Sequence, residues 1–282
     1  GKATVTSTYF IAVDGSGPSM AALRWGILRA AEVGVPVVLL HVVDDEWGLA
    51  GHDYAEEAEQ RGEEALARGE QKSLELDAGV AVTSQILRGS PVWELAAAPS
   101  ADDLLVIGTH KTGFLHGRVL GSRSISIVSL ARCSVAVIPD VELGTRRGVV
   151  AGVGWPEVDS RAIASAAREA ARLREEAVLI HSAWIAVTSR MDAIAHPLEA
   201  ERSLLRSALD EARKSAPEAV VSTRISRRSP PEALLDASRR SNLLVLGSSE
   251  SRGPRQSVLG TTTHDVLMNI NCPALISRNS VI

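Results

Sequence analysis

The chain has 282 residues, a formal net charge of −4, and a composition that is 45% hydrophobic and 23% charged. These values are typical of a folded globular protein, and no apolar run approaches the ~20 residues of a membrane-spanning helix. The charge gives no basic footprint for nucleic acid, and we expect neither nucleic-acid nor membrane partners. Residues 1–4 contain no apolar signal-peptide core, so we expect a cytoplasmic protein.

Strand and helix patterns alternate along the first half of the chain. Short apolar runs predict strands at residues 9–13, 37–43, 80–87, 104–107 and 135–138. Helical patterns lie between them at residues 20–33 and 54–77, and two further helices begin at Pro91 and Ser122. Strands that alternate with helices indicate an α/β fold with an open, doubly wound parallel sheet.

The second half repeats the first at an offset of 139 or 140 residues. Its strands are predicted near residues 149–153, 177–181, 219–225, 243–246 and 274–276. Matched pairs run through both halves: His41 with His181, Ser90-Pro91 with Ser229-Pro230, and Cys133 with Cys272. A constant offset indicates a duplicated domain, so we predict repeat 1 at residues 1–143 and repeat 2 at residues 144–282. Each cysteine precedes the last strand of its repeat and is expected to be buried, without a disulfide.

Two loops of repeat 1 carry unusual chemistry. Asp14, Gly15 and Ser16 follow the first strand, and Gly108 near the end of the fourth strand leads through a polar loop to Gly121 and the helix that follows. Such a loop is an anion cradle because free backbone N–H groups and the positive end of the helix dipole face one hollow. In a doubly wound sheet, ligands sit beyond the strand ends where the winding reverses. An acidic acceptor beside a phosphate cradle suits a nucleotide.

With these motifs the chain resembles a tandem universal stress protein. ATP-binding members of that family carry an aspartate after strand 1, a valine at the end of strand 2 and the loop G-x2-G-x9-G-(S/T) after strand 4. Asp14 and Val42 match the first two places, and residues 108–122 keep the loop spacing with Lys111 at the second glycine. The resemblance covers nearly the whole chain, twice. It implies two five-stranded sheets of order 3-2-1-4-5, arranged in tandem as a pseudo-twofold pair.

The resemblance also implies a binding site for ATP or a related adenine nucleotide in repeat 1. Asp14 would accept hydrogen bonds from ribose or adenine, and Val42 would pack against the base. Backbone and hydroxyl groups of the loop would hold the phosphates, and Mg²⁺ would be held through phosphates and water, with no metal-ligating side chains. The expected nucleotide-binding residues are Asp14, Gly15, Ser16, Val42, Gly108, Thr109, His110, Lys111, Gly121 and Ser122.

Lys111 supports two opposite interpretations. It obstructs the loop if a glycine is needed for the backbone, and it assists phosphate binding if the backbone is tolerant. Repeat 2 departs further, because Gly154 replaces Asp14 and Glu250 replaces the second loop glycine. A carboxylate near phosphate would cost ~1–3 kcal/mol, or one to two decades of affinity. We therefore expect repeat 2 not to hold ATP.

Several functions remain open. The first is a nucleotide-dependent regulatory or interaction module of the stress response, with a protein partner that the sequence does not identify. The second is a nucleotide-free scaffold that has lost the site, and the third is a slow ATP hydrolase. No nucleophile and base stand together near the cradle, so we predict no catalytic residues and no efficient enzyme. The repeats are expected to pair within one chain along their last strands, and a homodimer is an alternative.

Overall fold

The computed structural model describes residues 7–44, 52–109, 122–154, 156–183, 198–248 and 259–278. The chain divides into two compact units, with the division between Asp140 and Val141. The first unit corresponds to repeat 1 and the second to repeat 2. The sequence predicts the boundary slightly later, between residues 143 and 144.

Repeat 1 is a parallel five-stranded sheet of order β3-β2-β1-β4-β5. Its strands are β1 (Tyr9–Ala12), β2 (Val37–Val43), β3 (Val82–Arg88), β4 (Leu104–Thr109) and β5 (Ser134–Pro139). Its helices are α1 (Gly17–Val33), α2 (His52–Leu76), α3 (Pro91–Ala97) and α4 (Ser122–Leu130). Helix α1 packs against α2, and α3 packs against α4. Right-handed crossovers place these two pairs on opposite faces of the sheet, so the winding reverses between β1 and β4.

Repeat 2 has the same topology, with strand order β8-β7-β6-β9-β10. Its strands are β6 (Val149–Gly152), β7 (Glu176–Ser182), β8 (Val220–Ser226), β9 (Leu243–Gly247) and β10 (Ala274–Ser277). Its helices are α5 (Pro156–Leu173), α6 (Leu198–Ser215), α7 (Pro230–Ser238) and α8 (Thr261–Met268). The predicted duplication, the α/β class and the 3-2-1-4-5 order are confirmed.

The central strands are apolar on both faces because helices cover both. Leu104, Leu105 and Val106 of β4 are fully buried, as is Ile11 of β1, which pairs in register with Val106. A parallel sheet covered on both sides has no wet face, and its strands therefore read as continuous apolar runs. This burial stabilises the central strands and holds their carboxyl ends in place.

Helix α1 begins three residues before the predicted start at Met20. The Ser16 side chain accepts a hydrogen bond from the backbone N–H of Ser19 at 3.3 Å, and Pro18 lies in the first turn. Both features favour a helix N-terminus, since the cap satisfies a free N–H and proline lacks one. At the other end Gly34 adopts φ 78°, the left-handed conformation that commonly closes helices.

Both cysteines are buried and free, as predicted. Burial raises the pKa of the Cys272 thiol to about 12, so it stays protonated near neutral pH and is a poor nucleophile. Among the described residues, every helix is too short or too polar to span a lipid bilayer.

Candidate functional site

A cavity of about 470 Å³ lies at the carboxyl ends of the central strands of repeat 1. Strands β1, β2 and β4 deliver residues to its floor, and α3 and α4 form one wall. This is the switch point at which doubly wound sheets bind ligands. The lining described here comprises Ala12, Val13, Asp14, Ser16, Pro18, Ser19, His41, Val42, Asp44, Pro91, Val92, Leu95, Ile107, Gly108, Thr109, Arg123, Ser124 and Ile127.

The turn between β1 and α1 holds Asp14 at the mouth of this cavity. Its Oδ1 accepts a hydrogen bond from the backbone N–H of Ser16 at 2.9 Å, and the side chain is exposed. Gly15 between them adopts φ 80°, a conformation that L side chains rarely take. A Cβ on Gly15 would also lie 2.5 Å from Nη2 of Arg68. The backbone of this turn therefore favours glycine at this place, and the turn holds the carboxylate beside the cavity.

Val42 reaches the cavity from the end of β2, next to a histidine with a structural bond. Nδ1 of His41 lies 2.7 Å from the carbonyl oxygen of Val13 and must donate, because a carbonyl only accepts. His181 makes the equivalent bond to the carbonyl of Val153 at 2.8 Å. These histidines tie the ends of neighbouring strands together, which positions the residue that follows each of them.

Gly108 brings the N-terminus of α1 against β4. A Cβ added there would lie 2.4 Å from the carbonyl carbon and oxygen of Pro18, and 2.7 Å from the backbone nitrogen of Ser19. Only glycine allows this approach without a backbone shift. The predicted donation of backbone N–H groups to phosphate is a separate role for Gly108 and Thr109, and it stays a prediction.

The predicted site residues divide into two groups. Asp14, Ser16, Val42, Gly108 and Thr109 line one cavity, with Gly15 in the turn between the first two. Three others, His110, Lys111 and Gly121, lie outside the described residues. Ser122 is the first residue of α4, and its side chain also lies outside the description.

Arg123 is a lining residue that the sequence analysis missed. It lies in the first turn of α4, where the positive end of the helix dipole repels a cation. A charge that is unfavourable for its own helix is a sign of another role. That sign could have been read from the sequence, since Arg123 directly follows the Gly-Ser pair.

Repeat 2 has a cavity of about 350 Å³ at the equivalent strand ends. Strands β6, β7 and β9 form its floor, and the first turn of α8 forms its rim. The lining described here comprises Gly152, Val153, Gly154, Asp159, Ile180, His181, Ser182, Pro230, Ala233, Leu234, Leu246, Gly247, Gly260, Thr261, Thr262 and Thr263. The position of Arg123 is held here by Thr262.

The cavity of repeat 2 contains a carboxylate, that of Asp159, which comes from helix α5. The sequence analysis did not predict it. Oδ2 of Asp159, in the first turn of α5, accepts a hydrogen bond from the backbone N–H of Gly154 at 2.7 Å. In repeat 1 the matching N–H, that of Asp14, faces the hydroxyl of Ser19 at 3.4 Å. Repeat 2 therefore lacks an acid at the strand end but has one on the following helix.

The fold and cavities define a tandem protein of two doubly wound α/β domains, each with a ligand-sized hollow at its switch point. Residues 10–139 and 145–278 both match the Universal stress protein family. The chain belongs to the universal stress protein family.

Relatives match along the full length. The chain is 28% identical to the universal stress protein Rv2005c of Mycobacterium tuberculosis over 296 residues, covering 96% of each protein. It is 27% identical to a universal stress protein of Mycolicibacterium smegmatis over 284 residues, covering 95% of this chain and 96% of the relative. The crystal structure of a universal stress protein from Archaeoglobus fulgidus shares the fold, with a TM-score of 0.73 and 19% identity over 98% of this chain and 100% of that one.

Proposed function

We propose that this universal stress protein binds ATP or a related adenine nucleotide in repeat 1 and acts as a nucleotide-dependent regulatory module. The observation that carries the proposal is the arrangement of groups in one cavity. Asp14, Val42 and Arg123 line it from three different elements. An acceptor, an apolar wall and a cation at a helix N-terminus are the groups that a ribose, a base and a phosphate require.

The apolar wall of the cavity suits a flat base. Leu95, Ile107 and Ile127 are largely buried and line it together with Val42. Burial of a base against such side chains supplies most of the affinity, whereas the polar groups fix the orientation. The carboxylate of Asp14 lies at the mouth, where it would accept hydrogen bonds from ribose or from the adenine amino group.

The phosphates would extend toward the first turn of α4. Arg123 and the positive end of the helix dipole supply positive charge there. Asp14 and Asp44 are the carboxylates of the described lining. Because Asp14 is assigned to the sugar or base, Mg²⁺ would enter with the phosphates and keep water ligands. Binding would then change the conformation of the loops or the choice of a protein partner.

Calorimetric titration of ATP tests the proposal. We expect a stoichiometry near one per chain, and Asp14→Ala should weaken binding about tenfold by removing a hydrogen bond to a charged acceptor. Gly154→Ala is the matched control in repeat 2, since its Cβ would make only an ordinary 3.4 Å contact with Asp159. A stoichiometry near two, or equal effects of the two substitutions, would contradict the site assignment. Undetectable ATP binding would favour a nucleotide-free scaffold.

We also propose that this site binds ATP without efficient hydrolysis. Rapid hydrolysis needs a positioned water and groups that stabilise the transition state more than the ground state. Arg123 and the helix N-terminus would bind ground-state phosphate about as well as the transition state. Such binding strengthens affinity without raising turnover. We expect phosphate release well below the ~1 s⁻¹ of a slow ordinary enzyme. Faster steady-state release that Asp14→Ala abolishes would make the protein an ATP hydrolase instead.

A further inference from the structure

The amino ends of the repeat 2 strands carry exposed arginines in the turns that lead into β6, β7 and β9. We call this surface the basic end, and its exposed arginines are Arg147, Arg174, Arg239 and Arg240. The side chain of Arg147 is 82% exposed. The backbone N–H of Arg147 donates to the carbonyl oxygen of Arg240 at 3.0 Å, so two of these turns are in contact.

Acidic groups offset only part of the charge of the basic end. Within the part of the chain that the structure describes, no carboxylate pairs with Arg174, Arg239 or Arg240. Nη1 of Arg147 lies 3.8 Å from Oε1 of Glu175, whose side chain is only 10% exposed. Two exposed acids at this end, Glu176 and Glu218, are matched by two exposed cations in the last turn of α6. The basic end therefore keeps a net positive charge.

The amino ends of the repeat 1 strands carry carboxylates instead. We call this surface the acidic end, and its exposed carboxylates are Glu32 in the last turn of α1, Asp77 after α2 and Asp102 before β4. No cation among the described residues pairs with Asp77 or Asp102. Arg132, exposed after α4, offsets one of these charges, and the Lys72–Glu75 ion pair adds none. The acidic end keeps a net negative charge.

The two ends occupy equivalent places in the two repeats, so their charges diverged after the duplication. Arg174 takes the place of Gly34, and Arg239 takes the place of Ser100. Arg174 has φ 54°, close to the left-handed conformation that Gly34 adopts at φ 78°. An arginine in this conformation carries a steric cost that glycine avoids. A side chain kept at such a cost points to a role for the side chain itself.

The acidic end is unfavourable for its own helices. Glu32 lies near the C-terminus of α1, and Asp77 directly follows the C-terminus of α2. The helix dipole is negative at these places and favours cations. The dipole therefore accounts for arginines after α5 and α7 but not for acids after α1 and α2. A positively charged partner would offset the repulsion.

We propose that the acidic end of repeat 1 binds the basic end of repeat 2 in a second copy of this chain. Charge complementarity identifies the partner, because every chain carries both surfaces. A single exposed ion pair contributes little, so several pairs form together and the contact is reversible and sensitive to salt. This association does not depend on nucleotide binding in repeat 1.

Sedimentation velocity of the full chain at about 20 mM and about 1 M sodium chloride tests the proposal. At low salt the mass should exceed the 29.9 kDa of one chain, and at high salt it should return to that value. Arg239→Glu combined with Arg240→Glu should abolish the association at low salt. Arg202→Glu combined with Arg206→Glu is the matched control, because it changes the net charge equally on α6, away from the basic end.

A charge exchange separates loss of the contact from misfolding. Asp77→Arg combined with Asp102→Arg makes both ends basic, whereas the Arg239→Glu, Arg240→Glu variant has both ends acidic. Each variant alone should have the mass of one chain at low salt. An equal mixture should associate again, because acidic ends then meet basic ends.

Four outcomes would overturn the proposal. The unchanged chain could have the mass of one chain at low salt, or its mass could be the same at both salt concentrations. The control on α6 could abolish the association as the arginine reversal does. The mixture of the two variants could fail to associate.

Discussion

The two repeats share a strand order and a cavity position but differ in where they place their charges. Repeat 1 has Asp14 at the mouth of its cavity and Arg123 at the helix N-terminus. Repeat 2 has Asp159 between the ends of its central strands, and Thr262 in the first turn of α8 takes the place of Arg123. The comparison shows that duplication kept the hollow while its electrostatics diverged. In a shared fold the chemistry of a site depends on the few groups that face the ligand.

The equivalent glycines of β4 and β9 show the same divergence at the level of packing. A side chain on Gly108 would collide with the backbone of Pro18 in α1. A side chain on Gly247 would meet the end of the Asp159 side chain instead. Repeat 1 holds its helix tightly against the strand, whereas repeat 2 fills the same space with a carboxylate.

Reversing the charge of Arg123, at the proposed phosphate end of the repeat 1 site, should have the largest effect. Arg123→Glu replaces attraction by repulsion and is expected to weaken ATP binding about 100-fold, roughly 2.7 kcal/mol. Thr262→Glu, a glutamate at the matched position of repeat 2, should leave ATP binding intact because the proposed nucleotide site lies in repeat 1. Competition with a fluorescent ATP analogue measures both. A loss below about threefold for Arg123→Glu would remove that residue from the phosphate site.

Substitution of the two glycines should come next. Gly108→Ala forces a backbone shift of α1 or β4 and is expected to lower the free energy of unfolding by about 2–3 kcal/mol. Gly247→Ala should cost under about 1 kcal/mol, because the Asp159 side chain can move aside. Urea unfolding followed by circular dichroism gives both values. Equal losses in the two variants would contradict the different packing of the two repeats.

The fold was predictable from the sequence because its signals are local. Apolar runs such as that of β2, bounded by glycine and proline residues, predict every strand to within about two residues of its observed ends. Met20 was too late a start for α1, since the Ser16 cap and Pro18 begin the helix earlier. The constant offset between the halves predicted the duplication without any structural information.

The site was only partly predictable because part of it comes from helix turns. Asp14 follows β1 and Val42 lies near the end of β2, and the family pattern places both directly. Arg123 and Asp159 lie on helices, and their access to the cavities depends on how α4 and α5 pack against the sheet. Comparison of Gly154 with Asp14 alone suggested that repeat 2 had lost its acid. The structure shows that the acid lies five residues further along the chain.

The most direct test moves the carboxylate of repeat 2 into repeat 1. Ser19→Asp places an acid where Asp159 stands in repeat 2, and Ser19→Asn has the same size without the charge. If charge placement decides which repeat takes the nucleotide, calorimetry should show ATP binding at least about tenfold weaker for Ser19→Asp than for Ser19→Asn. Binding of adenosine should differ little between the two variants. Equal ATP affinities would contradict the account and would mean that cavity shape, and not charge, distinguishes the repeats.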